Sequence, residues 1–234
     1  MAVGDPHILG APVNTGYAGM YIHENSTAFV ISGAFAVTDR YNGMHGFTQD
    51  IVSTGWTFKD GKALSITEYA TSDAGAKTQV NCGATGLANG DIVTIAGTTN
   101  YDGVYIIEQV VASTSFVIQK AWVADDGAST QHAASYLTNT NAASTGIYHI
   151  GYSTSATNAT NNEVFEWALF QGTSELTNTE MQRKYATGGD YGSCSALGLV
   201  SYTAGNKIWL SVQNLTAANN ITLRDCNVTM IRVL

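Results

Sequence analysis

The chain has 234 residues, of which 44% are hydrophobic and 12% are charged, and its formal net charge is −8. This length is enough for one large domain or two smaller ones with a buried core. The ten Lys and Arg residues form no basic stripe to neutralise phosphates, and no apolar run reaches the ~20 residues of a membrane helix, so we expect neither nucleic-acid nor membrane partners.

Residues 1–16 are predicted to form an N-terminal arm, because proline and glycine interrupt regular pairing while several side chains are apolar. An apolar arm is unfavourable in water unless it docks on a neighbour, and the alternative is a frayed terminus. The start of the chain has no basic region followed by an apolar segment, which argues against a signal peptide and for synthesis in a cytoplasm. The arm residues expected to contact a partner are Pro6, His7, Ile8, Leu9, Pro12 and Val13.

The following segment alternates apolar and polar residues with period two, between clusters of Gly, Asn, Asp and Ser. This pattern predicts antiparallel strands and an all-β chain. Asp60-Gly61 predicts a hairpin turn between the third and fourth strands. The strands are expected at about Met20–Ile22, Ala28–Val37, Gly55–Phe58 and Ala63–Ala70.

Residues 78–129 differ in character, because three glycine-turned strands follow one another at short intervals. They are Gly90-Asp91-Ile92-Val93-Thr94-Ile95-Ala96-Gly97, Asn100-Tyr101-Asp102-Gly103-Val104-Tyr105 and Ser115-Phe116-Val117-Ile118. This pattern resembles the small Src-homology-3-like barrels that recur as insertions in bacteriophage tail and capsid proteins. The resemblance implies a small β-barrel inserted into a loop of the main domain, where insertions are best tolerated.

The last hundred residues again predict strands, with a possible short helical turn at Leu176–Tyr185. Gly146–Ser153 and Gly205–Asn214 are alternating strands opened by glycine, and a further strand runs from Val228 to Leu234. Together with the aromatic strand Val164–Phe170, they resemble the second half of a complement/tumour-necrosis-factor jelly roll. The resemblance implies an antiparallel jelly-roll sandwich, built from residues 17–77 and 130–234, that assembles as a homotrimer.

Several large apolar side chains are expected at the trimer interface. Val164–Phe170 is apolar on both faces, whereas a strand in a monomeric sandwich normally has one face in water. Trp209 is also predicted to point away from its own core, opposite Ile208 and Leu210. Neighbouring subunits would cover these side chains; the alternative is that the chain's own loops cover them. The predicted interface residues are Tyr148, Phe165, Trp167, Leu169 and Trp209.

The sequence offers no catalytic constellation. Gly55–Ala63 does not have phosphate-loop spacing, His23-Glu24 has no second histidine to complete a zinc motif, and Ala196 interrupts a nucleophile elbow. The five histidines and three cysteines have no metal-ligand spacing, and the cysteines are interpreted as reduced thiols. We therefore expect no enzymatic activity, no cofactor and no bound metal.

These features favour a structural virion protein of a tailed bacteriophage: a trimeric capsid decoration, or cement, protein on the capsid surface. Its expected partners are two further copies of itself and the major capsid protein. The alternative is a head-fibre or tail-fibre module that recognises a glycan or protein on the host surface. Fibre tips normally follow a long repetitive shaft, which the sequence does not contain, and so decoration is preferred.

Overall fold

The computed structural model describes residues 16–31, 41–83, 86–111 and 114–233. These residues form antiparallel sheets, which confirms the all-β class. The described ranges also contain three short 3-10 helices: Asp73–Gly75, Ala142–Ser144 and Thr177–Thr179.

The strands are numbered in chain order. They are β1 (Tyr17–Ile22), β2 (Asn42–Gly43), β3 (Thr48–Gln49), β4 (Trp56–Lys59), β5 (Lys62–Ile66), β6 (Glu68–Ser72), β7 (Lys77–Asn81), β8 (Ile92–Ile95), β9 (Gly103–Ile106), β10 (Gln109–Val111), β11 (Ser115–Ile118), β12 (Ser129–Ala133), β13 (Tyr136–Asn139), β14 (Gly146–Asn158), β15 (Glu163–Gln171), β16 (Ser174–Glu175), β17 (Met181–Tyr185), β18 (Tyr191–Tyr202), β19 (Lys207–Asn214) and β20 (Ile221–Arg232).

Two sheets face each other in a sandwich. The five-stranded sheet has the order β18-β14-β20-β1-β3. The seven-stranded sheet has the order β16-β15-β19-β13-β4, with β17 paired to β15 and β2 paired to β19. The strand pairs nest inside one another along the chain, since β1 pairs with β20, β13 with β19, β14 with β18 and β15 with β17. This nested antiparallel order makes the sandwich a jelly roll.

The sandwich core forms where the inward-facing residues of the two sheets meet. Tyr148, Ile150 and Tyr152 share one face of β14, as the period-two pattern predicts, and all three are buried. They share one hydrophobic cluster with Trp167 and Leu210 of the opposing sheet. Burial of this apolar surface is the main favourable term for the fold.

A second hydrophobic cluster lies in the small β unit formed by strands β5 to β12. These strands form two four-stranded sheets, β10-β11-β7-β6 and β5-β12-β8-β9. The cluster includes Val93 and Phe116, which lie within the predicted insertion, and also Leu64, Tyr69 and Ala133, which lie outside residues 78–129. We refer to strands β5 to β12 as the inserted barrel. The predicted division of the chain into a jelly-roll domain and an inserted domain of residues 78–129 stays a prediction.

The predicted hairpin at Asp60-Gly61 is wrong. Strand β4 pairs with β13 of the jelly roll, whereas β5 pairs with β12 of the inserted barrel, so the chain crosses from one unit to the other at this point. Gly61 is required here because a Cβ atom would collide with the backbone carbonyl oxygen of Ala133 on the returning connection. The close approach of Gly61 to the chain at Ala133 therefore explains why glycine follows Asp60, although no hairpin turn forms there.

Two other predicted segments differ from the structure or lie partly outside it. The proposed helical turn is limited to Thr177–Thr179, and Met181–Tyr185 forms strand β17, paired with β15. Of the predicted strand 28–37, only residues 28–31 are described, and Phe29 forms an isolated bridge with Ile221. The arm residues lie outside the described residues: Pro6, His7, Ile8, Leu9, Pro12 and Val13.

Candidate functional site

The residues predicted for a trimer interface lie inside a single protomer. None of the five is more than 1% exposed in the isolated chain, so none can contact a neighbouring subunit. Their assignment to an interface is therefore wrong, although the trimer itself stays a prediction. The five residues are Tyr148, Phe165, Trp167, Leu169 and Trp209.

The inserted barrel covers the second apolar face of β15 and β19. Phe170 and Trp209 stack with ring centroids 4.4 Å apart and share a buried cluster with Ile92 of the barrel and Tyr136 of β13. The indole nitrogen of Trp209 donates a hydrogen bond of 2.8 Å to the carbonyl oxygen of Gly172. Strands that are apolar on both faces are thus covered within one chain. The inserted barrel covers the second face, which a neighbouring subunit was expected to cover.

Glu166 lies on this same covered face. Its carboxylate is buried and accepts hydrogen bonds from three side chains. Its carboxylate accepts hydrogen bonds from the Tyr41 hydroxyl at 3.3 Å, from the Gln182 amide at 2.6 Å and from the Gln213 amide. Burial, together with hydrogen bonding to Glu175, raises the pKa of Tyr41. Burial and the charges of Glu166 and Glu175 raise the pKa of Glu180. The described residues nevertheless contain no group of three or more His, Cys, Asp or Glu arranged to hold a metal ion.

A buried aspartate anchors the barrel to the jelly roll. Asp91 accepts hydrogen bonds from the Tyr136 hydroxyl at 2.8 Å and from the backbone N–H of Ala88 at 2.8 Å. Its second partner from the jelly roll is Lys59, whose ammonium nitrogen lies 2.5 Å from the carboxylate. Lys207 donates to the carbonyl oxygen of Gly90, and burial lowers its pKa. These contacts hold one corner of the barrel on strands β4, β13 and β19.

A cavity of about 560 Å³ lies where the barrel meets the segment that follows β1. The rings of Phe29 and His132 stack at 4.5 Å, and those of His132 and His45 at 5.3 Å. Burial lowers the pKa of His132 to about 3 and also lowers the pKa of His45. Both imidazoles are therefore neutral near pH 7, and this wall of the cavity carries no charge.

The outer face of the five-stranded sheet is a feature that the sequence predictions did not identify. Across the sheet, Leu199, His149, Ile231 and Tyr17 lie side by side in register on β18, β14, β20 and β1. Leu199 and Ile231 are 57% and 53% exposed, and Leu197, one row away, is 67% exposed. Large apolar side chains gathered on one exposed sheet face are typical of an interaction surface. We call this surface, formed by Tyr17, Ile147, His149, Leu197, Leu199, Ile231 and Val233, the neutral face.

The neutral face has very little charge. Strands β14 and β18, residues Gly146–Asn158 and Tyr191–Tyr202, contain no Asp, Glu, Lys or Arg. Beside the exposed leucines lies a shallow trough of about 360 Å³. The trough is lined by Gly151, Ser153, Ser195, Leu197 and Thr229, and Leu197 leans over Gly151, where an added Cβ atom would come within 3.0 Å of its Cδ1. Apolar projections therefore lie next to a recess on the same sheet.

The sequence contains a signal for this surface, but it is weak. Leu197 and Leu199 lie on the same face of β18 as Ser193 and Ser195, so the pattern of β18 resembles that of an ordinary solvent-facing strand. The register with β14 and β20 aligns these leucines with Ile147, His149 and Ile231, which are remote in sequence. The described residues contain no helix that is long and apolar enough to cross a membrane.

Comparisons with known proteins add little to this geometry. No protein-family model matches the sequence, and no curated protein matches it. Among solved structures, the chain is similar to "Structure of infectious bursal disease virus Gx strain", with 9% sequence identity over 94% of this chain and 70% of that chain. The TM-score is 0.27, and a likeness at this level carries no argument about fold or function.

Proposed function

We propose that this chain is a structural, non-catalytic protein that assembles as a homotrimer through the neutral face, and that the trimer decorates the capsid of a tailed bacteriophage. The observation that carries the proposal is the exposed apolar surface on β18, β14, β20 and β1, where Leu197 is 67% exposed. Burying such side chains contributes roughly 25 cal/mol per Å² of apolar area removed from water.

A second copy of the chain is the occupant that the charges favour. Each protomer has a net charge of −8, so identical copies repel one another over most of their surface. The neutral face is where this repulsion is weakest, because its strands β14 and β18 have no formal charges. The exposed leucines beside the Gly151 trough also provide projections and a recess for contact between copies. The number three comes from the resemblance to the trimeric jelly-roll family.

The decoration role is supported by the inserted barrel and its attachment. Small barrels of this type resemble insertions in phage tail and capsid proteins, and here the barrel is held by the Asp91 contacts and by the Trp209 cluster. In the proposed mechanism, three copies form a knob over the shell and bind the major capsid protein. Three linked attachments make weak single contacts strong through avidity. The arm, residues 1–16, is the proposed capsid-contact segment.

The assembly step is tested by placing charges on the neutral face. The variant Leu197→Asp/Leu199→Asp is expected to be a folded monomer, because six carboxylates in one trimer interface would repel and lose hydration. Sedimentation equilibrium measures the mass, and circular dichroism checks folding. The matched control is Thr71→Asp, an exposed position on the barrel strand β6, which is expected to remain trimeric. A wild-type monomer at 100 µM would contradict the proposed trimer.

The decoration step is tested separately with undecorated phage shells. Wild-type protein is expected to add to the shells in a sucrose-gradient assay, whereas the double aspartate variant is expected to bind at least tenfold more weakly because avidity is lost. Deleting the arm, residues 1–16, is expected to abolish shell binding with the trimer intact. Retained shell binding by this deletion would show that the arm is not the contact segment.

One observation favours the alternative, a receptor-binding module. Trp122 of the barrel is 38% exposed, and its indole nitrogen is held by the carbonyl oxygen of Tyr69 at 3.2 Å. A fixed and exposed indole ring is suited to stacking on a sugar. Binding of the trimer to whole host cells, abolished by Trp122→Ala, would favour this alternative over decoration.

A further inference from the structure

His149 lies at the centre of the neutral face. Its register neighbours are Leu199 on β18 and Ile231 on β20, and Tyr17 follows on β1. Its side chain is exposed, whereas its sequence neighbours Tyr148 and Ile150 point into the sandwich core. The imidazole is therefore surrounded by apolar side chains that are themselves exposed in the isolated protomer.

The charged groups nearest in sequence or register do not face His149. Arg232 follows Ile231 and therefore lies on the opposite face of β20. Its guanidinium donates hydrogen bonds to the carbonyl oxygens of Ala143 and Thr145 at 2.8 and 3.1 Å. Asp225 is in register with Ser155, six residues along β14, or roughly 20 Å away. It is bound there to His23 at 2.9 Å.

Two further polar groups border the face, a carboxylate and a phenol. On the same outer face, Asp50 lies beside Gly19 of β1, which is in register with Thr229 and Gly151, two strands and one row from His149, or roughly 12 Å away. Tyr17 lies on β1 beyond Ile231 and carries a phenol, not a carboxylate. In the described part of the chain, no carboxylate is in register with His149 to pair with an imidazolium ion.

We propose that proton uptake by His149 controls association through the neutral face: copies associate while the imidazole is neutral and separate when it is charged. This inference rests on the proposed self-association. A protonated His149 would bring an unpaired positive charge, from each copy, into an apolar contact, where burial of an unpaired charge is strongly unfavourable. Histidine is the side chain that generally gains its charge between pH 5 and 8, so the control would operate under mild acid.

The experiment measures self-association by sedimentation velocity at pH 7.5 and pH 5.5, at protein concentrations from 0.5 to 100 µM. Wild-type protein is expected to weaken its association at least tenfold at pH 5.5. His149→Gln, which stays neutral at both values, is expected to associate equally at both. His149→Lys, which stays charged at both, is expected to remain monomeric at both. Circular dichroism at pH 5.5 verifies that each protein is still folded.

The matched control is His23→Gln, a substitution of an exposed histidine outside the neutral face, which is expected to keep the wild-type pH response. Wild-type association that changes less than twofold between the two pH values would overturn the inference while leaving the proposed trimer intact. A pH response that persists in His149→Gln would overturn it as well. Absence of self-association by wild-type protein at pH 7.5 would overturn the proposed trimer and the inference together.

Discussion

At the scale of single residues, His132 is a titratable side chain that the fold removes from water. Its ring is fully buried on β12 and lies 4.5 Å from that of Phe29 and 5.3 Å from that of His45, and the Phe29 and His45 rings are themselves 4.9 Å apart. Burial is the main reason that its pKa falls to about 3, and the neighbouring His45 contributes further. The folded protein therefore resists protonating this ring, whereas an unfolded chain protonates it near pH 6.5.

This difference predicts that the protein loses stability in mild acid. Between pH 6.5 and pH 3 the unfolded state binds a proton that the folded state does not, so the free energy of unfolding falls as the pH falls. From pH 7 to pH 5 the loss attributable to His132 is about 2 kcal/mol. Urea unfolding at the two pH values measures it. His132→Phe is expected to reduce the loss by about this amount.

The control for this prediction is Phe29→Leu, which disturbs the same ring stack without changing a titratable group. It is expected to lower the free energy of unfolding by similar amounts at pH 7 and pH 5. If His132→Phe showed the full wild-type acid sensitivity, the buried histidine would not be its source.

At the scale of elements, the junction between the jelly roll and the inserted barrel depends on both apolar and ionic contacts. The turn before β8 provides Asp91, and strands β4 and β13 provide Lys59 and Tyr136. The apolar part consists of Phe170 and Trp209 covered by Ile92. Because the carboxylate of Asp91 is buried and has three partners, removing it would leave donors without an acceptor.

Asp91→Ala is therefore expected to loosen the barrel from the sandwich. The free energy of unfolding should fall by about 2–3 kcal/mol, somewhat less than for a fully buried pair, because the Lys59 side chain is 34% exposed. Hydrogen exchange should accelerate in β8 and β9 more than in β14. The measurement is native-state exchange followed by mass spectrometry.

A suitable comparison is Lys77→Ala, which removes an ion pair with Glu108 on the barrel surface. Surface pairs contribute little to stability, so hydrogen exchange in β8 and β9 should remain as in wild-type protein. Equal effects of the two substitutions would show that the Asp91 contacts do not anchor the barrel.

At the scale of the whole molecule, the protein combines a completely covered sandwich core with one uncovered sheet face. The covered side is closed by the inserted barrel, and the uncovered side presents Leu197, Leu199 and Ile231. If copies associate there, folding and assembly are linked, because only the folded chain has the neutral face. Stability should then depend on protein concentration.

The melting temperature of wild-type protein is expected to rise by about 5 °C when its concentration is raised 100-fold. Leu197→Asp/Leu199→Asp should melt at the same temperature at both concentrations, because it cannot gain association energy. Differential scanning calorimetry at pH 7.5 makes the comparison. A wild-type melting temperature independent of concentration would contradict linked folding and assembly.

Local sequence was enough to predict the fold class and which side chains of a strand share a face. Tyr148, Ile150 and Tyr152 lie on one face as their alternation indicates, because side chains on a strand point to opposite faces in turn, but that face is the core and not the predicted interface. The three cysteines are unpaired and buried, consistent with their interpretation as reduced thiols. The hairpin at Asp60-Gly61 was wrong because turn chemistry alone does not reveal which strands pair.

The alternation of polar and apolar residues determined that this chain is built from strands and which side chains share a face, since both properties depend on neighbours along the backbone. Only the tertiary structure decided what covers each face. Trp209 is covered by the barrel residue Ile92, more than a hundred positions away, whereas Leu199 and Ile231 flank His149 in an uncovered row that strand register sets. Covering a sheet face is a contact between distant segments, and such contacts leave no local pattern in the sequence.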